Sequence, residues 1–298
     1  MTIATAQAQE YLKQLGLKVI RTFWELVKVM VPVMIAVRLA DQFGLTEMLG
    51  VALGPVMDVV GLPAEAGLVW AVTLLVGVYG GIGAYLTLLP GFEISVAQHS
   101  ILCTMMLMAH LIPVEQAMVA RAGASFWITS AVRIITALLF AFIISQITAA
   151  TGWLTGPFTL PWSPDIGGTA SWADWAIGTA TSLATILVIF CVLFLALDAL
   201  ERLGVIRFLS RIVEPVLRLI GIDRRLAPMS TVGLLLGVVY CTGVMIQANR
   251  EHAFSPKARL IALSLISICN GLIEGSILFL AKGANICIIF VSMLIFTM

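Results

Sequence analysis

VPVMIAVRLADQFGLTEMLGVALGPVMDVVGLPAEAGLVWAVTLLVGVYGGIGAYL (residues 31–86) and CVLFLALDALERLGVIRFLSRIVEPVLRLIGIDRRLAPMSTVGLLLGVVYCTGVMI (residues 191–246) read as two copies of one unit. Aligned without a gap at an offset of 160, Gly44 falls on Gly204, Pro55 on Pro215, Gly61 on Gly221, Gly77 on Gly237 and Gly83 on Gly243. Glycine and proline fix backbone shape, so their coincidence marks shared architecture. An internal repeat in an apolar chain is the pattern of membrane folds that hold a solute between two related halves.

The 298 residues are 60% hydrophobic and 11% charged, with mean hydropathy +1.06. A soluble domain carries about 25% charged residues. Apolar runs near the length of a bilayer crossing recur along the chain, at 19–40, 64–88, 97–121, 124–147, 174–200, 226–249 and 258–281, with a shorter run at 284–298. The composition defines an all-α polytopic membrane protein and leaves no room for a soluble catalytic domain. No enzyme activity, cofactor or nucleic-acid partner is expected. The N-terminus lacks the short apolar core and small-residue site of a cleaved signal peptide. Cys103, Cys191, Cys241, Cys269 and Cys287 lie in apolar segments without paired metal-ligand spacing, and read as small core residues.

Charge sets the expected sidedness. The connection 41–65 has no Lys or Arg, whereas its counterpart 201–225 has Arg202, Arg207, Arg211, Arg218, Arg224 and Arg225. Basic loops stay cytoplasmic, so the two equivalent connections are expected on opposite sides, and the repeat is expected to be inverted. Each half must then cross an odd number of times. The segment expected not to cross is the glycine-rich one. Each arm of 64–94 reaches only roughly 20 Å at 1.5 Å per residue, which suits a re-entrant hairpin with its tip at Gly80–Gly81. The second copy, 226–256, places its tip near Tyr240-Cys241-Thr242-Gly243. With a cytoplasmic N-terminus, Lys13, Lys18, Arg21, Arg121, Arg250, Lys257 and Arg259 all fall inside, and Lys282 alone falls outside.

Each half reads as a spanning helix, an interfacial helix, a hairpin, a broken helix and a closing helix. The interfacial helix is clearest at 205–221, VIRFLSRIVEPVLRLIG, where Arg207, Arg211, Glu214 and Arg218 follow helical spacing. Those arginines are read as meeting lipid phosphates. Residues 148–173, with Trp153, Trp162 and Trp172, form an extracytoplasmic linker at the membrane interface.

Polar residues gather in the broken helix. His110, Pro113 and Glu115 lie near mid-span in copy one, and Asn270, Gly271 and Glu274 at similar depth in copy two. Breaks are expected at Pro113 and Gly271, freeing backbone groups that can ligate a solute. A carboxylate at membrane depth costs roughly 2.5–3.5 kcal/mol on insertion scales. Glu115 and Glu274 are therefore read as solute or proton carriers, or as a structural pair with Arg133 or His110. Asp198 and Arg38, near span ends, are read as snorkelling.

GVYGGIG (77–83) and GVVYCTG (237–243), each followed by a helix with HLIPVE (110–115) or NGLIE (270–274), resemble the nucleoside recognition (gate) domain superfamily. That superfamily includes the core of concentrative nucleoside transporters, the membrane part of the ferrous iron transporter and the spore maturation membrane proteins. The resemblance implies a first gate-like repeat at 1–147, the linker at 148–173 and a second repeat at 174–298. It implies a solute site where the hairpin tips meet the broken helices, formed by Tyr79, Gly80, Gly81, Gly83, His110, Glu115, Tyr240, Thr242, Gln247, Asn270 and Glu274.

The function expected is transport of a small polar solute or ion, nucleoside-like among the options, across a bacterial inner membrane. A divalent-metal permease using Cys241, Glu115, Glu274 and His110 is one alternative, and a non-transporting scaffold of the spore-maturation type is another. The last segment is short of a bilayer core, so either a subunit partner (a homo-oligomer or a partner membrane subunit) covers it or the copy is abbreviated. Glu115→Gln and Glu274→Gln are expected to fold but to weaken transport or remove its pH dependence.

Overall fold

The computed structural model describes residues 2–88, 93–159, 171–204, 254–269 and 272–297, with isolated positions between 208 and 234. The described chain is helical, and its one extended pairing is a bridge between Ser95 and Pro157. In order come α1 (Thr2–Gln42), α2 (Leu45–Val59), α3 (Ala64–Val76), α4 (Val78–Leu88), α5 (Val96–Met108), α6 (Ile112–Arg121), α7 (Phe126–Thr151), α8 (Trp172–Arg202), α9 (Pro256–Ile268) and α10 (Leu272–Leu280). A π-helical turn at Cys287–Val291 leads into α11 (Ser292–Thr297). Helices 96–121, 126–151 and 172–196 are long and apolar enough to cross a membrane, and α2 with α3 makes a fourth candidate, bent by 97°. α1 carries Arg21, Glu25, Lys28 and Arg38 and is not among them.

The 160-residue offset reappears in the elements themselves. α5 and α9 begin at Val96 and Pro256, α6 and α10 at Ile112 and Leu272, and α1 and α8 end at Gln42 and Arg202. The caps repeat as well: Ser95 accepts from the Gln98 N–H and Ser255 from the Ala258 N–H, each satisfying an orphan donor of a first turn. Gly44 and Gly204 both have positive φ (67° and 73°), as do Gly123 and Gly283 (100° and 87°).

The helix pairs α5–α6 and α9–α10 run antiparallel where they meet. At one end, His99 Nε2 lies 3.2 Å from the Lys282 carbonyl and the Asn285 N–H donates to Ser100 Oγ at 2.8 Å. At the other end Gly123 meets the Arg259 guanidinium. Midway, Gln116 Nε2 donates to Ser267 Oγ at 2.7 Å. Adding 160 to one partner and subtracting it from the other maps Gln116–Ser267 onto Ser276–Leu107. Leu107 is indeed seated against Gly275. The first end also gathers the inter-copy connection. Val96 and Ala97 donate backbone N–H groups to Gly156 and Leu154, and Phe158 stacks on His99 at 3.7 Å. Trp153, next to Leu154 at this end, and Trp172, at the start of α8, are both exposed, as membrane-interface tryptophans would be.

α3 and α4 fold back on each other. Gly81 sits directly against Thr73, although eight residues separate them in sequence, a distance of about 12 Å along a straight helix. The turn is at Gly77, whose φ of 104° and ψ of 178° only glycine adopts readily. The tip therefore lies three to four residues before the expected Gly80–Gly81. Those two glycines are helical and buried. A Cβ on Gly81 would fall 1.8 Å from Thr73 Oγ1 and 2.8 Å from Met106 Cε, and one on Gly83 would fall 3.3 Å from the Met30 carbonyl oxygen. They are small because α3, α1 and α5 come that close. Helices in lipid associate through such packing, since lipid supplies no hydrophobic drive between them. Gln98, near the start of α5, donates to the Gly61 carbonyl at 2.9 Å, which puts the base of the hairpin beside the α5 N-terminus.

The second hairpin, including Tyr240, Cys241, Thr242 and Gln247, and the 205–221 helix lie outside the described residues apart from isolated positions. Among those positions, Glu214 and Arg218 form an i,i+4 ion pair. Asn270 and Gly271 lie outside them too.

Candidate functional site

The break in the first broken helix lies at Ala109–Leu111, two residues before the expected Pro113. Ala109 is extended, Leu111 is left-handed at φ 45°, and Pro113 stands in the first turn of α6, where a missing N–H costs nothing. What holds Leu111 in a strained conformation is the hairpin. Its N–H donates to the Thr73 carbonyl at 3.0 Å, and its side chain covers Gly77. The turn of the hairpin and the break of the helix thus meet. The Thr73 carbonyl receives two N–H groups, from Gly77 at 2.9 Å and from Leu111 at 3.0 Å.

Beside this junction lies a closed ionic group. Glu115, in the first turn of α6, is 5% exposed, Arg133 of α7 is 0% exposed and His110 is 8% exposed. Arg133 Nη1 donates to Glu115 Oε2 at 2.5 Å, and Arg133 Nε donates to the Met108 carbonyl at 2.9 Å, a group the break leaves without a helical partner. Glu115 also gains from the α6 N-terminus, where the helix dipole favours an anion.

His110 Nδ1 lies 2.9 Å from the Leu107 carbonyl, 3.1 Å from the Met106 carbonyl and 3.4 Å from Arg133 Nη2. His110 Nε2 faces Glu115 Oε1 at 3.3 Å. Arg133 keeps a permanent positive charge against the other carboxylate oxygen.

Of the sequence-predicted site residues, the structure brings His110 and Glu115 together at the junction. Gly80, Gly81 and Gly83 line the helix–helix contacts just behind it. Tyr79, at the start of α4, turns its ring toward Phe190 of α8, at 5.9 Å. Glu274 lies on α10, at the position equivalent to Val114 rather than to Glu115. Arg133 and Leu111 were not among the predicted site residues. An arginine amid the apolar run 124–147 was the available signal for the first. No group of three or more His, Cys, Asp or Glu able to hold a metal ion occurs among the described residues.

A second polar cluster joins the copies farther out. The Tyr85 hydroxyl meets His99 Nδ1 at 2.7 Å, and Nε2 of the same ring faces the Lys282 carbonyl, so both ring nitrogens are satisfied with the imidazole neutral. Cys103 Sγ lies 3.7 Å from His99 Nε2.

An antiparallel pair of broken helices, with a hairpin turned into the break, is the arrangement for which the gate motifs were named above. Residues 182–296 match the family model described as Gate, nucleoside recognition. The match lies in the second of the two stretches related by the 160-residue offset. Over 273 residues the chain is 27% identical to YvoD of Bacillus subtilis (strain 168), described as an uncharacterized membrane protein, covering 88% of this chain and 84% of that one. No solved structure matches the chain. The protein is thus a helical membrane protein with several apolar helices, similar over residues 182–296 to the Gate family.

Proposed function

We propose that this protein is a membrane transporter that moves a small polar solute or ion between two inverted repeats, using the junction of hairpin turn and helix break as its midplane site. The observation that carries this reading is the contact of Gly77 with Leu111 beside Glu115, His110 and Arg133. Broken helices at membrane depth occur where they line a solute path. Small backbone movements at Gly77 and Leu111 would open the Thr73 and Met108 carbonyls to a solute. Glu115, beside that path, is the group read as coupling it to protons. The antiparallel run of α5–α6 against α9–α10 supports the inversion, and α3–α4 is read as re-entrant. The basic residues near 202–225, 250 and 257–259 support a cytoplasmic N-terminus in a bacterial inner membrane.

A second reading has one observation in its favour. Arg133, Glu115 and His110 satisfy one another, as a static core of a scaffold would. The divalent-metal alternative keeps only Cys241, outside the described residues, and the two glutamates.

The two readings separate in a thermal-shift screen of the purified protein against nucleosides, nucleobases, amino acids and divalent metals. Transport requires at least one saturable stabiliser, because a ligand that binds only the folded state raises its stability by mass action. That ligand should then be accumulated by proteoliposomes under an imposed pH gradient. A screen without any stabiliser, together with pH-independent behaviour of His110 and Glu115 variants, would leave the scaffold.

A further inference from the structure

The seam between α5–α6 and α9–α10 is closed differently at its two ends. At one end the Arg259 guanidinium lies directly on Gly123. At the other, Gly283 meets the ring of Phe158, which belongs to the connection after α7. A Cβ on Gly283 would fall 3.0 Å from that ring. Phe158 also stacks on His99, with ring centroids 3.7 Å apart and planes 9° from parallel. The offset of 160 relates Gly123 to Gly283 and His99 to Arg259. Phe158 is therefore an addition that the offset does not require.

The segment carrying Phe158 is held by the first turn of α5. The Ala97 N–H donates to the Leu154 carbonyl at 2.9 Å and the Val96 N–H to the Gly156 carbonyl at 3.0 Å. Both are first-turn donors that their own helix cannot satisfy. At the start of α9 the equivalent positions are Pro256, which has no N–H, and Lys257. The Phe158 N–H returns to the Ile94 carbonyl at 2.8 Å, and Ser95 pairs with Pro157. The segment is also strained. Leu154 is left-handed at φ 59°, and among the described residues the other non-glycine with positive φ is Leu111, at the helix break. A leucine keeps that conformation only where its surroundings impose it.

What lies beneath the segment is polar. His99, Tyr85, Cys103 and Lys282 are all buried there. The seam continues through the Asn285 N–H on Ser100 Oγ to Gln116 on Ser267. Gln116 is fully buried, and its Oε1 has no hydrogen-bond partner among the described residues. A row of polar groups between helices, ending on an unpaired amide oxygen, is costly in a seam that never opens.

We propose that residues 154–158 are a strap that closes the linker end of this seam, with Phe158 as its plug on His99. The use of the seam as a path rests on the transport reading above; the strap itself is read without any solute. Release breaks the backbone hydrogen bonds to Ile94, Val96 and Ala97, lets Leu154 leave its left-handed conformation, and uncovers His99 and Cys103.

Cys103 is the reporter, because it is 2% exposed and lies 3.7 Å from His99 Nε2. The full chain in detergent, with its other native cysteines replaced, is reacted with N-ethylmaleimide. A sister chain keeps only Cys269, equally buried but at the carboxyl end of α9. Labelling of a buried thiol follows the population of the open form, so Phe158→Ala should speed labelling of Cys103 at least about tenfold and leave Cys269 unchanged. Ser95→Cys/Pro157→Cys supplies a lock. The hydrogen bonds on either side make these two a non-hydrogen-bonded pair, whose Cα atoms lie about 4.5 Å apart and can be bridged. The oxidised lock should slow Cys103 labelling, read by peptide mass spectrometry, and reduction should restore it. Equal Cys103 rates in wild type and Phe158→Ala, a parallel rise at Cys269, or a lock without effect on Cys103 overturns the proposal. Proteoliposomes separate the two readings. Uptake stopped by the lock and restored by reduction supports both, and uptake that continues through the oxidised lock overturns the strap. If Cys103 responds as predicted but no solute is taken up by any form, the strap stands and the transport reading fails.

Discussion

Arg133 decides how the central carboxylate behaves. It is fully buried, and its charge is balanced by Glu115 at 2.5 Å. Removing one partner of a buried pair typically costs about 3–5 kcal/mol, because the other charge is stranded. The sequence alone suggested that Glu115→Gln would fold normally; the structure revises that. Glu115→Gln should lower the unfolding midpoint in detergent strongly, and Glu115→Gln/Arg133→Gln should recover part of the loss. Equal midpoints for wild type and Glu115→Gln would show that the pair does not stabilise the fold. Lysine 282, in the turn after α10, carries a different signature. Burial holds its ammonium at about 7, below the usual lysine range, with Cys103 and His99 of α5 facing it. Its pKa is lowered in the folded state, so between about 7 and 10.5 the unfolded chain holds a proton that the folded chain has released. Stability should therefore rise with pH across that window, and the full penalty of a buried charge applies below it. Thermal midpoints from pH 6 to 9 should climb more steeply for wild type than for Lys282→Met. Parallel curves would contradict the assignment.

At the scale of elements, the hairpin shows what sequence can and cannot reveal. GVYGGIG announces a weak point but contains two kinds of glycine. Gly77 is needed for its positive φ; Gly80, Gly81 and Gly83 are needed for their missing side chains. Composition cannot separate these, so the tip was placed three to four residues late. The break at Leu111 was similarly drawn toward Pro113, because proline both stops helices and starts them. The packing role gives a direct check. Gly81→Ala should destabilise by about 1–3 kcal/mol through overpacking against Thr73 and Met106. Gly16→Ala, in α1 with nothing within 4 Å of its added carbon, should be neutral or stabilising by up to about 1 kcal/mol. If Gly81→Ala is as benign as Gly16→Ala, the two arms do not pack as described. The Glu115–Arg133 pair was only partly legible, because its members lie on separate helices.

For the whole molecule, the 160-residue offset was the most legible feature, because capping and left-handed residues fix where helices start and stop. Caps at Ser95 and Ser255 and left-handed glycines at 123 and 283 keep the offset even where side chains diverge. Function diverges more than architecture: His99 in one copy stands where Arg259 stands in the other, and Glu115 where Gly275 does. Sidedness is the property on which the account turns. It is tested most directly by an impermeant thiol reagent applied to intact cells carrying single-cysteine variants, in a chain whose five native cysteines are replaced. Asp58, Glu93, Arg121 and Arg202 are all exposed and suit the substitution. The account predicts that Asp58→Cys and Glu93→Cys, flanking the hairpin, both react from outside, and that Arg121→Cys and Arg202→Cys react only after the membrane is opened. Reaction of positions 58 and 93 from opposite sides would mean that the hairpin crosses the membrane, and the inverted-repeat account would fail.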